Sequence, residues 1–265
     1  MARIAIIKGD NISQRAFNQG PDGTGPQSKP QGKVYPSPAV AVADIPDGAV
    51  VLIAGYAGTG WPESLIKALA DRGSKNLTVI CQGEWGEYNG GSGILPLLAN
   101  GQLRKLISPM PFYPLGSTEG PMGEVESRWK AGELELEVVP QGILAERLRS
   151  GGAGLGGIFL PSGAGARIAT DRPDTEIEVR KFGGRDHRFE TGLKADFALL
   201  RARYSDTLGN LIYRGTQRNW NSVMAMAAGV SIAEVDEIHE AGGLDGELVV
   251  TPGIFVKRIV KTVEK

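Results

Sequence analysis

Apolar residues in this chain follow two rhythms. Ala49 to Ala54 is an unbroken apolar run, the pattern of a strand buried on both faces. Pro62 then opens a segment in which Leu65, Ile66, Leu69 and Ala70 share one helical face until Gly73 ends it. "NLTVIC" follows as a second buried strand, and "RKLIS" predicts a third. Glu124 to Lys130 reads as a helix. From Glu133 to Val139, "ELELEVV" alternates charged and apolar residues, which predicts a strand with one wet face near an edge of the sheet. "QGILAERLRSGG" reads as a helix ended by Gly151. Later, "ADFALLRARYSDTLGNLIYRG" holds two strand-like runs joined by a hairpin-type turn over Asp206 to Asn210. "SVMAMAAG" predicts a helix with Met224 and Met226 as core filler, and "SIAEVDEI" and "GIFVKRIVK" predict closing strands. Strands alternating with helices of about three turns imply βαβ units. The predicted class is α/β, with a mostly parallel sheet and helices on both faces.

Asn18 to Lys33, "NQGPDGTGPQSKPQGK", contains no hydrophobic residue and three prolines, so it cannot bury a core. Residues 1–33 are read as a polar Gly/Pro-rich extension and residues 34–265 as the globular domain. Charge narrows the partners. Lys+Arg at 29 against Asp+Glu at 30, without blocks of one sign, gives no electrostatic footprint for nucleic acid or an anionic membrane. No segment reaches the about 18 apolar residues a membrane span needs, and "MARIAIIKGD" lacks the features of a secretory signal. Cys81 is the only cysteine, which excludes an internal disulfide and a cysteine metal cage and fits a reducing cytoplasm. His187 and His239 are far apart in sequence and are read as surface or structural residues, so no metal site is expected.

Chemistry concentrates in loops that follow predicted strands, the positions where an open parallel sheet binds ligands. "LIAGYAGTGWPESL" runs from strand to helix through Gly55, Gly58 and Gly60. Three glycines in six positions let the backbone turn sharply and approach another group closely. The order Gly-x-x-Gly-x-Gly departs from a dinucleotide fingerprint and no Walker lysine follows, although Glu84 lies about where a ribose-binding acid would stand. A second loop, "CQGEWGEYNGG", places Glu84 and Glu87 beside Trp85 and Tyr88. A carboxylate desolvated by aromatic rings is a candidate base or nucleophile, and a solvated loop acid is the plain alternative. A third loop spans Pro140 to Gly142. Glycines also crowd "GGAGLGGIFLPSGAGA" from Gly151, on either side of an apolar strand, for close approach of a backbone or ligand or for tight turns alone.

Four motifs in order, "DGAVVLIAGYAGTGWPESLI", "VPQGILAERLRSGGAG", "ADFALLRARYSDTLGNLIYRGTQRNWN" and "TPGIFVKRIV", resemble the family I CoA-transferases, in particular the A (alpha) subunit of the 3-oxoacid type. The resemblance covers nearly everything from Val34 to Val260. It implies a Rossmann-like domain that pairs with a homologous beta subunit, in an alpha-beta heterodimer or an alpha2-beta2 heterotetramer. It also implies coenzyme A as a thioester substrate rather than a resident cofactor. The family's nucleophile is a glutamate in a Ser-Glu-Asn-Gly motif of the beta half, which this chain lacks. By the same resemblance Gly55, Tyr56, Gly58, Gly60, Gln82 and Gln141 are candidates for lining the substrate or its oxyanions, and Gly142, Gly152 and Gly154 join them from their place in the loops read above.

Two departures stand out. Ala54, Gly55 and Tyr56 replace the family's usual Gly-Gly-Phe, and "CQGEWG" replaces its Ser-Asn-Asn-Ala-Gly, with Gln82 on the first asparagine. "QGEWG" also echoes the beta-type Gln-Ser-Glu-Asn-Gly and would set Glu84 at the nucleophile's place. Three functions stay open at this point: the transferase alpha subunit, a CoA-thioester or ring-opening hydrolase on the same scaffold, and a non-catalytic CoA- or nucleotide-binding protein.

Overall fold

The computed structural model describes residues 32–83, 92–111, 121–161 and 178–262. In chain order its elements are α1 (Pro38–Ala41), β1 (Val50–Ile53), α2 (Glu63–Arg72), β2 (Leu77–Cys81), α3 (Leu95–Ala99), β3 (Leu103–Ser108), α4 (Pro121–Lys130) and β4 (Glu135–Val138). Then come α5 (Gln141–Gly152), β5 (Gly157–Pro161), β6 (Val179–Phe182), β7 (Arg185–Thr191), β8 (Ala195–Asp206), β9 (Leu211–Ile212), α6 (Arg218–Met226), β10 (Ala228–His239) and β11 (Val256–Lys261).

The main sheet runs β11-β10-β8-β1-β2-β3-β4, every pair parallel, with β9 added antiparallel to β8. Both faces are covered, which is why β1 reads as a continuous apolar run. Val51 and Ile53 pack with Leu65, Ile66 and Leu69 of α2, Leu97 and Leu98 of α3 and Val125 of α4. Val50 and Leu52 face the opposite core, with Leu144 and Leu148 of α5 and Trp220 and Met224 of α6. A doubly wound α/β architecture is the result. The alternating strand at Glu133 to Val139 is β4, and it is an edge strand, as its wet face predicts.

Three details depart from the sequence-based expectation. The helix expected over "SVMAMAAG" instead occupies Arg218–Met226, and Ala228 already pairs with Ala195 in β10. An unbroken run of small apolar residues carries no period to separate a helix end from a strand start. A second, antiparallel sheet of order β5-β7-β6 is foreshadowed only in its first strand. β6 is exposed throughout, so it shows no buried alternation, and its turn to β7 uses Gly183 and Gly184, both at positive φ. Short α1 is a further addition, although the Ser37 hydroxyl accepts from the Val40 amide and Pro38 stands at the first turn.

The hairpin turn forms where expected. Asp206 accepts from the Leu208 amide at 3.1 Å and the Asn210 amide at 2.9 Å, and its other oxygen accepts from Asn210 Nδ2 at 2.7 Å. On edge strand β11, Val34 bridges to Ile259, and Lys33 Nζ donates to the carbonyls of Gly253 and of Leu208 in this same turn. Lys33 therefore already belongs to the packed body.

Candidate functional site

From β1 the chain winds outward through β2, β3 and β4, then returns to place β8 on the other side of β1. Strand order reverses between β1 and β8, and the crevice beyond their carboxyl ends is where a doubly wound sheet takes its ligand. The Ala54 amide donates to the Leu199 carbonyl as the last link between the two strands, and the glycine loop begins at the next residue. Sequence and topology therefore put Gly55 to Gly60 at the switch point.

Within the loop, Tyr56 and Thr59 exchange backbone hydrogen bonds of 2.9 and 2.8 Å across Ala57 and Gly58, both at positive φ. A turn with two such central residues is of the I′ kind, which explains one glycine. Gly55 has φ +129, and a Cβ there would lie 2.5 Å from the Trp61 ring. Gly60 has φ +76, and a Cβ would lie 3.0 Å from Asn221 Nδ2 and from the Gln217 carbonyl. Each glycine thus has its own steric cause.

Close packing at Gly60 belongs to a clamp. Asn219 Nδ2 donates to the Thr59 carbonyl at 3.0 Å, and Asn221 Nδ2 donates to the Gly60 carbonyl at 3.2 Å and to the Gln217 carbonyl at 2.7 Å. Asn221 Oδ1 accepts from the Arg201 amide at 2.7 Å, so the fully buried Asn221 ties β8, α6 and the loop together. Sequence reasoning singles out neither asparagine. Their signal is the polar "TQRNWN" ahead of an apolar helix, but only the fold brings it to residue 60.

Past the loop, Pro62 at the head of α2 has no side-chain acceptor for the exposed amides of the first turn. Glu234 of β10 supplies it: Oε2 accepts from the Leu65 amide at 3.0 Å, and the Ser64 amide also donates to this carboxylate. Arg201 Nε stands 3.5 Å from its other oxygen. Burial pushes the Glu234 carboxyl up to about 7, against the lowering effect of these donors and of Arg201. Glu63, in the same helical turn, accepts from Ser92 Oγ at 2.8 Å and from the Ser92 amide at 3.0 Å.

Gln82 lies just beyond β2, buried at 2% exposure. Its Nε2 meets Met110 Sδ at 3.5 Å, its carbonyl accepts from Ser108 Oγ at 3.1 Å, and Oε1 has no partner among the described residues. Glu84, Trp85, Glu87 and Tyr88 lie outside the described residues. Gln141 and Gly142, at the amino end of α5 after edge strand β4, share the ligand edge but stand three strands from β1.

Gly152 and Gly154 lie at and just past the far end of α5. α5 runs back along the sheet from that edge, and its 12 residues carry the chain about 18 Å away. A Cβ on Gly152 would lie 2.9 Å from Met226 Cβ, so this glycine lets α5 meet α6. One on Gly151 would lie 2.1 Å from the Leu193 carbonyl oxygen, and Gly154, at φ +78, turns the chain toward β5. Close packing accounts for Gly151 and Gly152, and a positive φ for Gly154.

His187 Nδ1 bonds the Arg185 carbonyl oxygen at 2.9 Å, and the described residues hold no group of side chains able to bind a metal ion. No helix among them is long and apolar enough to cross a membrane. A cleft of about 510 Å³ lies farther along the β8–β10 extension, between Tyr204, Tyr213 and His239, and no predicted site residue lines it.

Comparison with known proteins fits this arrangement. Residues 35–262 match the family described as Coenzyme A transferase. The chain is 41% identical over 228 residues to the A (alpha) subunit of 3-oxoadipate CoA-transferase from Pseudomonas putida, a match that spans 86% of this chain and 93% of that protein. It is 42% identical over 229 residues to the A (alpha) subunit of a probable succinyl-CoA:3-ketoacid coenzyme A transferase from Bacillus subtilis (strain 168), spanning 86% and 90%. A crystal structure of a variant of the decarboxylase AibA/AibB superposes with a TM-score of 0.70 at 26% identity, covering 87% of this chain and 84% of that one. The fold hosts more than one reaction, so sequence has to select among them. Since the matched residues take in the glycine loop, its clamp and nearly the whole doubly wound sheet, the chain belongs to the coenzyme A transferase family and its chemistry is CoA transfer.

Proposed function

We propose that this chain is the alpha half of a heteromeric 3-oxoacid CoA-transferase, with a homologous beta subunit completing the active site and supplying its glutamate nucleophile. The observation that carries the reading is the make-up of the switch-point crevice. Gly55 to Gly60 offers small residues and backbone, with Tyr56 as its one bulky side chain. The two described carboxylates beside it, Glu63 and Glu234, are already engaged with Ser92 and with the head of α2. Such a surface accommodates a reacting acyl group but brings no uncommitted carboxylate from the described residues. Relatives named as the A (alpha) half of such enzymes, matched over about nine-tenths of their length, support the division of labour.

In the proposed reaction the partner's glutamate oxygen attacks the acyl-CoA carbonyl, the C–S bond breaks, and an acyl-glutamyl anhydride and CoA thiolate result. Attack by the thiolate on the glutamyl carbonyl releases the first carboxylate and leaves a glutamyl-CoA thioester. A 3-oxo acid then repeats the two steps in reverse and departs as its CoA thioester. Dividing one transfer in this way is nucleophilic catalysis, and each step passes through a tetrahedral oxyanion that gains from a preorganised, close-fitting backbone. A cytoplasmic setting belongs to the same proposal, supported by a sequence that carries a single cysteine, Cys81.

The test is turnover of succinyl-CoA with 3-oxoadipate by this chain alone, by its beta-type partner alone, and by the two together. Activity only in the mixture, and only when the acceptor acid is present, is the expected result. Thioester loss without an acceptor would replace the transferase by a hydrolase, and full activity of the isolated chain would remove the need for a partner.

A further inference from the structure

We propose that Glu234 is a positioning residue of this reaction, holding the first turn of α2, and through it the glycine loop, in the geometry that acyl transfer uses. The inference deepens the CoA-transferase reading and rests on it.

Three observations converge on this residue. The amides at the head of α2 take their acceptor from a strand 169 residues away in sequence, because Pro62 supplies none. Both acceptor functions of the carboxylate are in use, since the Leu65 and Ser64 amides donate to it and Arg201 faces its second oxygen. The Arg201 backbone amide in turn holds Asn221, whose side chain fixes the Gly60 carbonyl. Residues 60 and 64–65 are therefore gripped from one point on β8 and β10, and the loop between Ala54 and Glu63 has little freedom left. A buried carboxylate is costly to desolvate, and here it secures the segment nearest the switch point.

A glutamine cannot do the same work. Its amide has one acceptor oxygen, and its NH2 group would meet an N–H donor where the second carboxylate oxygen stood. The charged groups around Glu234 are Arg201 on β8, Glu63 on α2, and Asp236 on β10, which pairs with Arg201. Protonation of Glu234 would weaken its grip in the same way as the amide, so the pH profile of kcat reports on it.

The experiment uses the chain assembled with its partner and compares wild type, Glu234→Gln and Glu234→Ala. Expected are a kcat lowered about tenfold by Glu234→Gln and about a hundredfold by Glu234→Ala, with KM for acyl-CoA within about twofold. The acid limb of the wild-type kcat profile should flatten in Glu234→Gln, and amide hydrogen exchange over residues 55–66 should quicken in both variants. Melting temperature at pH 8 serves as the folding control, and Glu234→Gln should not lower it. Wild-type kcat, profile and exchange in folded Glu234→Gln would overturn the proposal, as would activity lost only in proportion to unfolded protein. If the wild-type assembly turns over no acyl-CoA, the transferase reading fails. The exchange data then decide Glu234 separately: quickening over 55–66 keeps its grip on the loop, and no change removes it.

Discussion

Glu234 illustrates how a single residue acquires meaning from packing rather than from its neighbours in sequence. In "SIAEVDEI" it is one acid among several, with nothing to distinguish it from Asp236 or Glu237. Once β10 packs under α2, its side chain is 1% exposed and its carboxyl titrates at about 7 instead of 4.5. The sign of the consequence follows from linkage. The folded chain holds this proton more tightly than the unfolded one, so the contribution is fully present below pH 4.5 and is lost as pH rises through about 7. At about 1.4 kcal/mol per unit, the loss is on the order of 3 kcal/mol. Denaturant unfolding of wild type and Glu234→Gln at pH 5 and pH 8 checks it: wild type should lose about that much relative to the variant, and parallel behaviour would contradict it. Gly55, Gly58 and Gly60 lie at the other extreme. Their spacing announces a forced backbone, and the structure supplies the causes in Trp61, a I′ turn and Asn221.

Elements are legible in proportion to how much of their surface is buried in a regular period. α2 and the strands β1 and β2 carry their apolar positions at one spacing throughout, and edge strand β4 announces its place through the exposed Glu133 and Glu135. The β6–β7 hairpin is not legible, because β6 buries nothing and its sequence "VRKF" has no hidden face to betray. Glycines around the end of α5 are ambiguous for a related reason: a small residue looks the same whether a ligand or another helix approaches it. At Gly152 the approaching group is Met226. Gly152→Val should therefore cost about 1–3 kcal/mol by forcing α5 from α6. It should leave kcat per folded molecule unchanged in the assembled enzyme. Urea unfolding with active-site titration measures both, and an intact fold with lost kcat would return Gly152 to the active site.

At the scale of the molecule, the α/β class follows from the alternation of strands and helices, but strand order does not. Which strand neighbours β1 on its far side depends on contacts between residues 51–53 and 197–199, and no local pattern encodes that pairing. The switch point, and hence the meeting of the glycine loop with α6 and of α2 with β10, becomes visible only with the sheet assembled. Gln82, Gln141 and the loop share one edge of that sheet, while the Glu84 segment lies outside the described residues. The central claim is that this edge receives a nucleophile from a partner rather than supplying one. Trapping the activated glutamyl group tests it most directly: the assembled enzyme is incubated with acyl-CoA and hydroxylamine, and peptide mass locates the hydroxamate. The account predicts a hydroxamate on a glutamate of the partner and none on this chain; a hydroxamate on Glu84 would contradict it.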